Sequence, residues 1–182
     1  MTREPKTDRN LDGYDAPIIP WSKVRDVLAG GITQITQGPG TGGPDRHTSW
    51  LATVRPDGRP HVMPLGVLWT EDRAFFTAGP ASQKARNLAR DPRCTLTVAT
   101  EPFDLVVEGE AVRVTDDAAL QRVAAGYAEM GWAPTARDGA LYHDYSAPSA
   151  GPPPWHAYEL TPTTVYAFGT VQETAGATRW RF

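Results

Sequence analysis

Hydrophobic and polar residues alternate along several short runs of the chain, which is the pattern of half-buried β-strands. In one such run Val106, Glu108, Glu110 and Val112 share a face. Another run is joined to its neighbour by Pro56-Asp57-Gly58, a sequence typical of a tight turn. The predicted strands cover residues 50–55, 59–70, 73–78, 93–100, 105–115, 156–160 and 164–169.

Three stretches carry helical signals instead. Ser22 is placed to cap a short helix, and Asp116 is placed to cap a longer one that reaches Met130. Ser82 opens another short helix, which we expect to end at Arg90 because Asp91-Pro92 follows.

The remaining segments lack periodicity. We expect residues 1–20 to form an N-terminal arm and residues 21–182 to form a single domain. The Gly- and Pro-rich segments 36–47 and 133–154 are predicted to be loops. Many short strands with few helices predict a mainly β, α+β fold built as an antiparallel barrel.

Composition narrows the functional classes. A net charge of −3 and a pI near 5.8 do not favour nucleic acid or an anionic membrane surface as a partner. The apolar runs are short, the N-terminus lacks the apolar core of a signal peptide, and Cys94 is the single cysteine. These features predict a cytoplasmic location.

The start of the helix after Ser82 is the clearest chemical signal. A strand that ends at Ala78-Gly79-Pro80 leads into Ser82, Lys84, Arg86 and Asn87, and the free N–H groups of a helix start attract anions. Because Lys84 and Asn87 are three residues apart, they share a face. This pattern indicates a phosphate site, with an ordinary solvated helix face as the alternative.

Three motifs, in this order, resemble the pyridoxamine 5′-phosphate oxidase-like split-barrel superfamily, in particular its flavin/deazaflavin oxidoreductase branch. The first is Leu-Ala-Thr-x-x-x-Asp-Gly-x-Pro at 51–60. The second is Phe-Thr-Ala-Gly-Pro-x-Ser-x-Lys-x-Arg-Asn-Leu at 76–88, and the third is Thr-Arg-Trp-Arg-Phe at 178–182. The resemblance implies a six-stranded antiparallel split β-barrel with flanking helices, working as a homodimer with a cofactor at the subunit interface.

The resemblance also implies the cofactor, which is coenzyme F-420 (a deazaflavin) or FMN, and the residues that hold it. Backbone of the second hairpin strand would follow the ring system, two residues of the next strand would lie near the ring and ribityl chain, the helix start would bind phosphate, and the chain end would cover the ring edge. The alternative role for Trp180 is to fill the inside of the barrel, and the alternative for Thr77 is that of an ordinary strand residue. The implied set is Val62, Met63, Pro64, Leu65, Phe76, Thr77, Ser82, Gln83, Lys84, Asn87, Arg179 and Trp180.

These signals favour an oxidoreductase that transfers hydride to a small organic acceptor, with coenzyme F-420 favoured over FMN. The alternatives are an FMN-dependent enzyme that resembles pyridoxamine 5′-phosphate oxidase and a non-catalytic flavin- or tetrapyrrole-binding protein. We assign no catalytic side chain, since a bound cofactor carries the hard chemistry in such proteins. The four histidines are scattered without metal-ligand spacing, so no metal site is predicted.

Overall fold

The computed structural model describes residues 3–30, 49–70, 73–144 and 151–182. The predicted loop at 36–47 lies outside these residues. The described chain forms, in order, β1 (Thr7–Asn10), α1 (Trp21–Ala29), β2 (Ser49–Val54), β3 (Pro60–Pro64), β4 (Leu68–Thr70), β5 (Arg73–Ala78), α2 (Gln83–Arg90), β6 (Arg93–Ala99), β7 (Phe103–Arg113), α3 (Asp117–Glu129), β8 (Thr135–Arg137), β9 (Ala140–Tyr142), β10 (His156–Gly169), a 3₁₀ turn (Gln172–Thr174) and β11 (Ala177–Arg181).

Every described strand pair is antiparallel, and most strands belong to one sheet. Its order is β1-β11-β10-β7-β6-β2-β3, with β5 on β10 and β4 on β5. The sheet does not close on itself, which is compatible with a split barrel. The predicted mainly β, antiparallel fold with a few flanking helices is confirmed.

Strand β10 organises the sheet because it has three partners. One edge pairs with β7 along most of its length, while the other pairs first with β5 and then with β11. The sequence analysis divides this segment into two strands around Thr161-Pro162. The structure instead has one strand with an irregular register between Pro162 and Thr164. Proline is accommodated at such a bulge because it needs no ladder N–H.

The partner of this bulge must be a glycine. Gly109 lies opposite Pro162, and a Cβ built on Gly109 would stand 2.2 Å from the Thr161 carbonyl oxygen. The missing side chain therefore lets β7 and β10 approach closely where β10 changes partners.

Two groups of buried side chains hold the fold together. The larger lies inside the curved sheet and includes Phe76, Leu96, Leu160 and Trp180, whereas the smaller lies between the sheet and α3. Cys94 belongs to the larger core, and burial raises the pKa of its thiol to about 12. Cys94 is therefore a small core residue rather than a reactive thiol.

Several predicted elements match the structure and others need correction. Helix α2 ends at Arg90 as predicted, and Asp116 does cap α3. Helix α1 begins at Trp21, after Pro20, so Ser22 is not its cap. The predicted strand 59–70 is two strands, β3 and β4, with 65–67 between them.

The predicted loop 133–154 contains a hairpin, since β8 pairs with β9. Its turn is Asp138-Gly139, where both residues have positive φ values of 53° and 69°. Asp-Gly is a strong signal for a two-residue hairpin of this kind, and the sequence analysis missed it because the strands on either side are only three residues long.

The predicted N-terminal arm also contributes to the sheet. Strand β1 pairs with β11, with Thr7 opposite Arg181 and Asn10 opposite Thr178. All four β1 residues are exposed, so no hydrophobic alternation marks this strand in the sequence. Among the described helices, none is long and apolar enough to cross a membrane.

Candidate cofactor site at the start of helix α2

The first turn of α2 follows directly from β5, as the sequence predicts. Ser82 is its N-cap, and its hydroxyl oxygen accepts a hydrogen bond from the Ala85 N–H at 3.3 Å. The backbone N–H of Ser82 donates to the Gly79 carbonyl oxygen at 2.9 Å. The Ser82 side chain is thus engaged in capping the helix.

Asn87 fixes α2 to the sheet. Its side chain is 1% exposed, and its amide nitrogen donates to the Thr53 hydroxyl of β2 at 2.9 Å. Its amide oxygen accepts from the Gln83 side-chain nitrogen at 2.7 Å. Both polar ends of Asn87 therefore have protein partners, which position α2 against the sheet, while its predicted phosphate contact stays a prediction.

Lys84 is the residue of the predicted phosphate set that keeps an uncompensated charge. Its side chain is half-buried, and burial lowers the pKa of its ammonium group. No carboxylate of the described residues lies within ion-pair distance of it. A partly buried cation without a counter-ion is unfavourable, and a bound anion would offset that cost.

The hairpin of β2 and β3 adds positive charge near Lys84. Burial, followed by the charges of Arg55 and Lys84, lowers the pKa of His61 on β3. These effects favour the neutral form of the His61 imidazole. Arg90 of α2 donates to the Val54 and Arg55 carbonyl oxygens at 2.9 and 3.0 Å, which ties the end of α2 to this hairpin.

Strand β3 is an edge of the described sheet, so one row of its backbone groups lacks a strand partner. The Leu65 N–H donates to the Ser49 carbonyl oxygen at 3.1 Å, which makes those two residues a hydrogen-bonded pair. Hydrogen-bonded and non-bonded pairs alternate in antiparallel ladders, so Val62, opposite Ala52, directs its N–H and C=O away from β2. Pro64 shares this orientation but has no N–H, and Val62 therefore supplies the free donor of the segment 62–65.

Two predicted aromatic contacts lie in the core instead. Phe76 is fully buried and stacks on Tyr158, with ring centroids 5.4 Å apart and an interplanar angle of 7°. Trp180 is 1% exposed and packs against Trp21 at a centroid distance of 5.4 Å. Both rings are covered by core side chains of this chain, as the barrel-filling alternative for Trp180 expects, while their predicted ligand contacts stay predictions.

The other predicted residues divide between two regions. Met63 and Pro64 are half-buried on β3, Thr77 is half-buried on β5, and Leu65 belongs to the core. Arg179 is half-buried on β11, and four strands (β10, β7, β6 and β2) separate it from β3 along the sheet. The buried Nε of Arg179 has no hydrogen-bond partner among the described residues, on α2 or elsewhere.

The outward face of the sheet carries exposed apolar side chains. Trp50 is 45% exposed, Val62 is 52% exposed and Phe168 is 42% exposed. The strand register connects them through Val106 and Tyr166, which are half-buried on the same face. Thr97 lies between Trp50 and Val106 on this face, and Asp104 lies opposite Phe168, so the face mixes exposed apolar side chains with polar ones, a composition that protein interfaces share.

No cluster of three or more His, Cys, Asp or Glu side chains that could hold a metal ion occurs among the described residues.

The candidate site consists of the half-buried ammonium group of Lys84, the arginines Arg55 and Arg90, and the open edge of β3. These groups suit a ligand with an anionic end and a flat polar ring.

The sequence analysis did not assign Arg55 to the site. The sequence feature that points to Arg55 is the turn Pro56-Asp57-Gly58, which directly follows it. This turn fixes the register of β2 against β3 and places His61 opposite Thr53, whose hydroxyl accepts the hydrogen bond from Asn87 of α2. Arg55 and Lys84 both lower the pKa of His61, and this shared neighbour, which appears only in the three-dimensional structure, assigns Arg55 to the site.

Comparison with known proteins gives one family match. The sequence model of the family described as pyridoxamine 5′-phosphate oxidase matches residues 44–169, which is well over half of the chain. The matched range contains β2 to β7, α2, α3 and β10. No curated protein matches the sequence.

Solved structures with similar folds come from several bacteria. A conserved hypothetical protein from Mycobacterium tuberculosis has a TM-score of 0.58 at 20% identity, with 87% of this chain and 89% of that chain covered. A NimC/NimA family protein from Clostridium acetobutylicum has a TM-score of 0.53 at 12% identity, with coverages of 75% and 84%. A heme binding protein from Mycobacterium smegmatis has a TM-score of 0.51 at 20% identity, with coverages of 69% and 50%. At these identities the likeness shows the fold alone.

The positioning role of Asn87 is testable by urea unfolding. Asn87→Ala should lower the free energy of unfolding by about 1–3 kcal/mol, because it leaves the buried Thr53 hydroxyl without its donor. Gln172→Ala is the control, since it removes an exposed amide side chain in the 3₁₀ turn and should change the free energy of unfolding by less than about 0.5 kcal/mol. An Asn87→Ala protein as stable as the parent would contradict this assignment.

Proposed function

The chain belongs to the pyridoxamine 5′-phosphate oxidase family, and from this premise we propose that it is an oxidoreductase whose flavin-type cofactor is anchored by Lys84. The acceptor of the transferred hydride is a small organic molecule. The observation that carries the proposal is the half-buried ammonium of Lys84 in the first turn of α2, which has no carboxylate partner among the described residues.

The phosphate group is assigned to Lys84 on electrostatic grounds. The ammonium is partly removed from water and lacks a carboxylate partner among the described residues, while the α2 start adds the positive end of a helix dipole. Arg55 raises the local positive potential further, as its effect on the pKa of His61 shows. These groups fit a dianionic phosphate without rearrangement of the core.

The ring system is assigned to the open edge of β3. The Val62 N–H and the C=O groups of Val62 and Pro64 point away from β2, where they match the donor and acceptor pattern at the edge of a flavin or deazaflavin ring. This assignment relies on backbone groups, in keeping with the burial of the Phe76 and Trp180 rings. When bound in reduced form, such a cofactor supplies the hydride for the acceptor.

We place the cofactor at the interface of a homodimer. The apolar outer face that contains Trp50, Val62 and Phe168 supports association with a second copy, because a monomer would leave these side chains in water. Val62 belongs both to this face and to the open edge of β3. In a dimer, Arg179 of the second copy is a candidate for the contact that one chain does not make.

Coenzyme F-420 is our preferred cofactor, with FMN as the alternative. Its acidic tail beyond the phosphate requires more positive charge than FMN does. Arg55 and Arg90, at the junction of α2 with the β2–β3 hairpin, support this preference. The proposed role of these side chains is to bind and orient the tail.

A non-catalytic binder of a flavin or tetrapyrrole is the second candidate. One protein of similar fold is a heme binding protein, which is the observation that favours it. The oxidoreductase and the carrier differ in whether the bound cofactor is re-oxidised in steady-state turnover. An oxidoreductase re-oxidises its bound reduced cofactor when candidate acceptors are added, whereas a carrier holds the cofactor, or binds hemin, without steady-state turnover.

The cofactor assignment is tested by titrating the protein with coenzyme F-420 and with FMN while following their fluorescence. Lys84→Ala should weaken binding of the preferred cofactor about tenfold or more, since a charge-assisted contact contributes about 1.5–3 kcal/mol. Lys23→Ala, the same change at an exposed position of α1, is the control and should bind as the parent does. Unchanged binding by Lys84→Ala would refute the anchor, and tight binding of FMN with no response to coenzyme F-420 would reverse the order of cofactors.

The interface is tested by sedimentation of the purified protein. Trp50→Glu should shift a dimer to monomer, because it buries a charge in the apolar face. Met130→Glu is the control, since Met130 is 50% exposed and follows α3 away from that face. A parent protein that sediments as a monomer, or a Trp50→Glu protein that stays dimeric, would count against the shared site.

A further inference from the structure

A cavity of about 250 Å³ lies between α1, α3, β4 and the bulged part of β10. None of its described lining residues belongs to β3 or α2, so it is separate from the proposed cofactor site. Protein interiors rarely leave spaces larger than a water molecule unfilled, which makes a space of this size notable.

The walls of the cavity are largely aromatic and aliphatic. Trp21, Trp69 and Phe182 each pack on the main core while part of their surface stays uncovered. The Trp21 and Phe182 rings meet edge to face, with centroids 5.0 Å apart. Val107 and Val165, which are opposite each other on β7 and β10, complete the wall. An apolar cavity of about 150 Å³ is enough to bind benzene, so this one has room for one or two rings.

The basic residues around the cavity are already engaged. Arg25 pairs with Glu4 at 2.6 Å, and Arg73 pairs with Glu159 at 2.8 Å. The guanidinium of Arg3 lies 5.6 Å from the centroid of the Phe182 ring. Glu129, which is exposed, also lines the cavity and adds a negative charge to its rim. An anionic ligand would therefore lose its hydration without gaining a free counter-charge here. A neutral molecule would lose little.

We propose that this cavity is a second ligand site, which binds a small neutral aromatic molecule of one or two rings. Aromatic rings suit it because offset and edge-to-face contacts with Trp21, Trp69 and Phe182 add to the burial of apolar surface. The site is independent of the proposed redox function.

The experiment is isothermal titration calorimetry, which measures the heat of binding when the full chain is titrated with indole, a neutral two-ring probe. We expect saturable binding of one indole per chain that excess FMN or coenzyme F-420 does not displace. Val107→Phe, which adds a ring to the cavity wall, should weaken indole binding by about tenfold or more. Val112→Phe is the control, because Val112 is on the same strand but is 61% exposed and does not line the cavity.

Two further measurements keep the test decisive. If urea unfolding shows that Val107→Phe does not fold, Ala29→Trp is the second variant that should fill the cavity and weaken indole binding. Ala29 lines the cavity from the exposed end of α1. Indole-3-carboxylate, the anionic counterpart of the probe, should bind at least about tenfold more weakly than indole. Absence of saturable indole binding, displacement by the cofactors, insensitivity to both blocking variants, or tighter binding of the carboxylate would overturn the proposal.

Discussion

The hydrogen bond between the Asn87 amide and the Thr53 hydroxyl is the contact on which the candidate site depends. It is buried, it joins α2 to β2, and it sets how the first turn of the helix faces the β2–β3 hairpin. Lys84, three residues before Asn87, is thereby held half-buried near His61 and Arg55. Buried polar pairs of this kind fix one arrangement because the alternatives leave a donor or acceptor without a partner.

The chain separates its core from its binding surface. The large aromatic side chains Phe76 and Trp180 fill the inside of the sheet, so the proposed ring contacts rely on backbone groups and charge more than on stacking. The features left unsatisfied among the described residues are the Lys84 ammonium without a carboxylate partner, the open edge of β3 and the exposed apolar side chains of the outer face. Each is unfavourable alone, and a phosphate-bearing ring cofactor between two copies of the chain would relieve all three.

The sequence predicts best where local chemistry decides the structure. The capping of α2 and α3, the β2–β3 turn and the alternation in β2, β6 and β7 follow from a few neighbouring residues. It predicts least where distant contacts decide. The continuity of β10 through Pro162 depends on Gly109, more than fifty residues earlier, and β1 forms because the free edge of β11 accepts it. In the site, residue type alone does not distinguish Asn87 from Lys84, and only the contact with Thr53 shows which of them is already occupied.

The pKa of the Lys84 ammonium tests the central claim most directly. Two-dimensional NMR of the lysine side chain gives this pKa with and without saturating cofactor. In the free protein, burial should hold it below the ordinary value, and a bound phosphate should raise it by favouring the charged form. A Lys84 pKa that is the same in the free and the saturated protein would contradict the account, since the phosphate would then lie elsewhere.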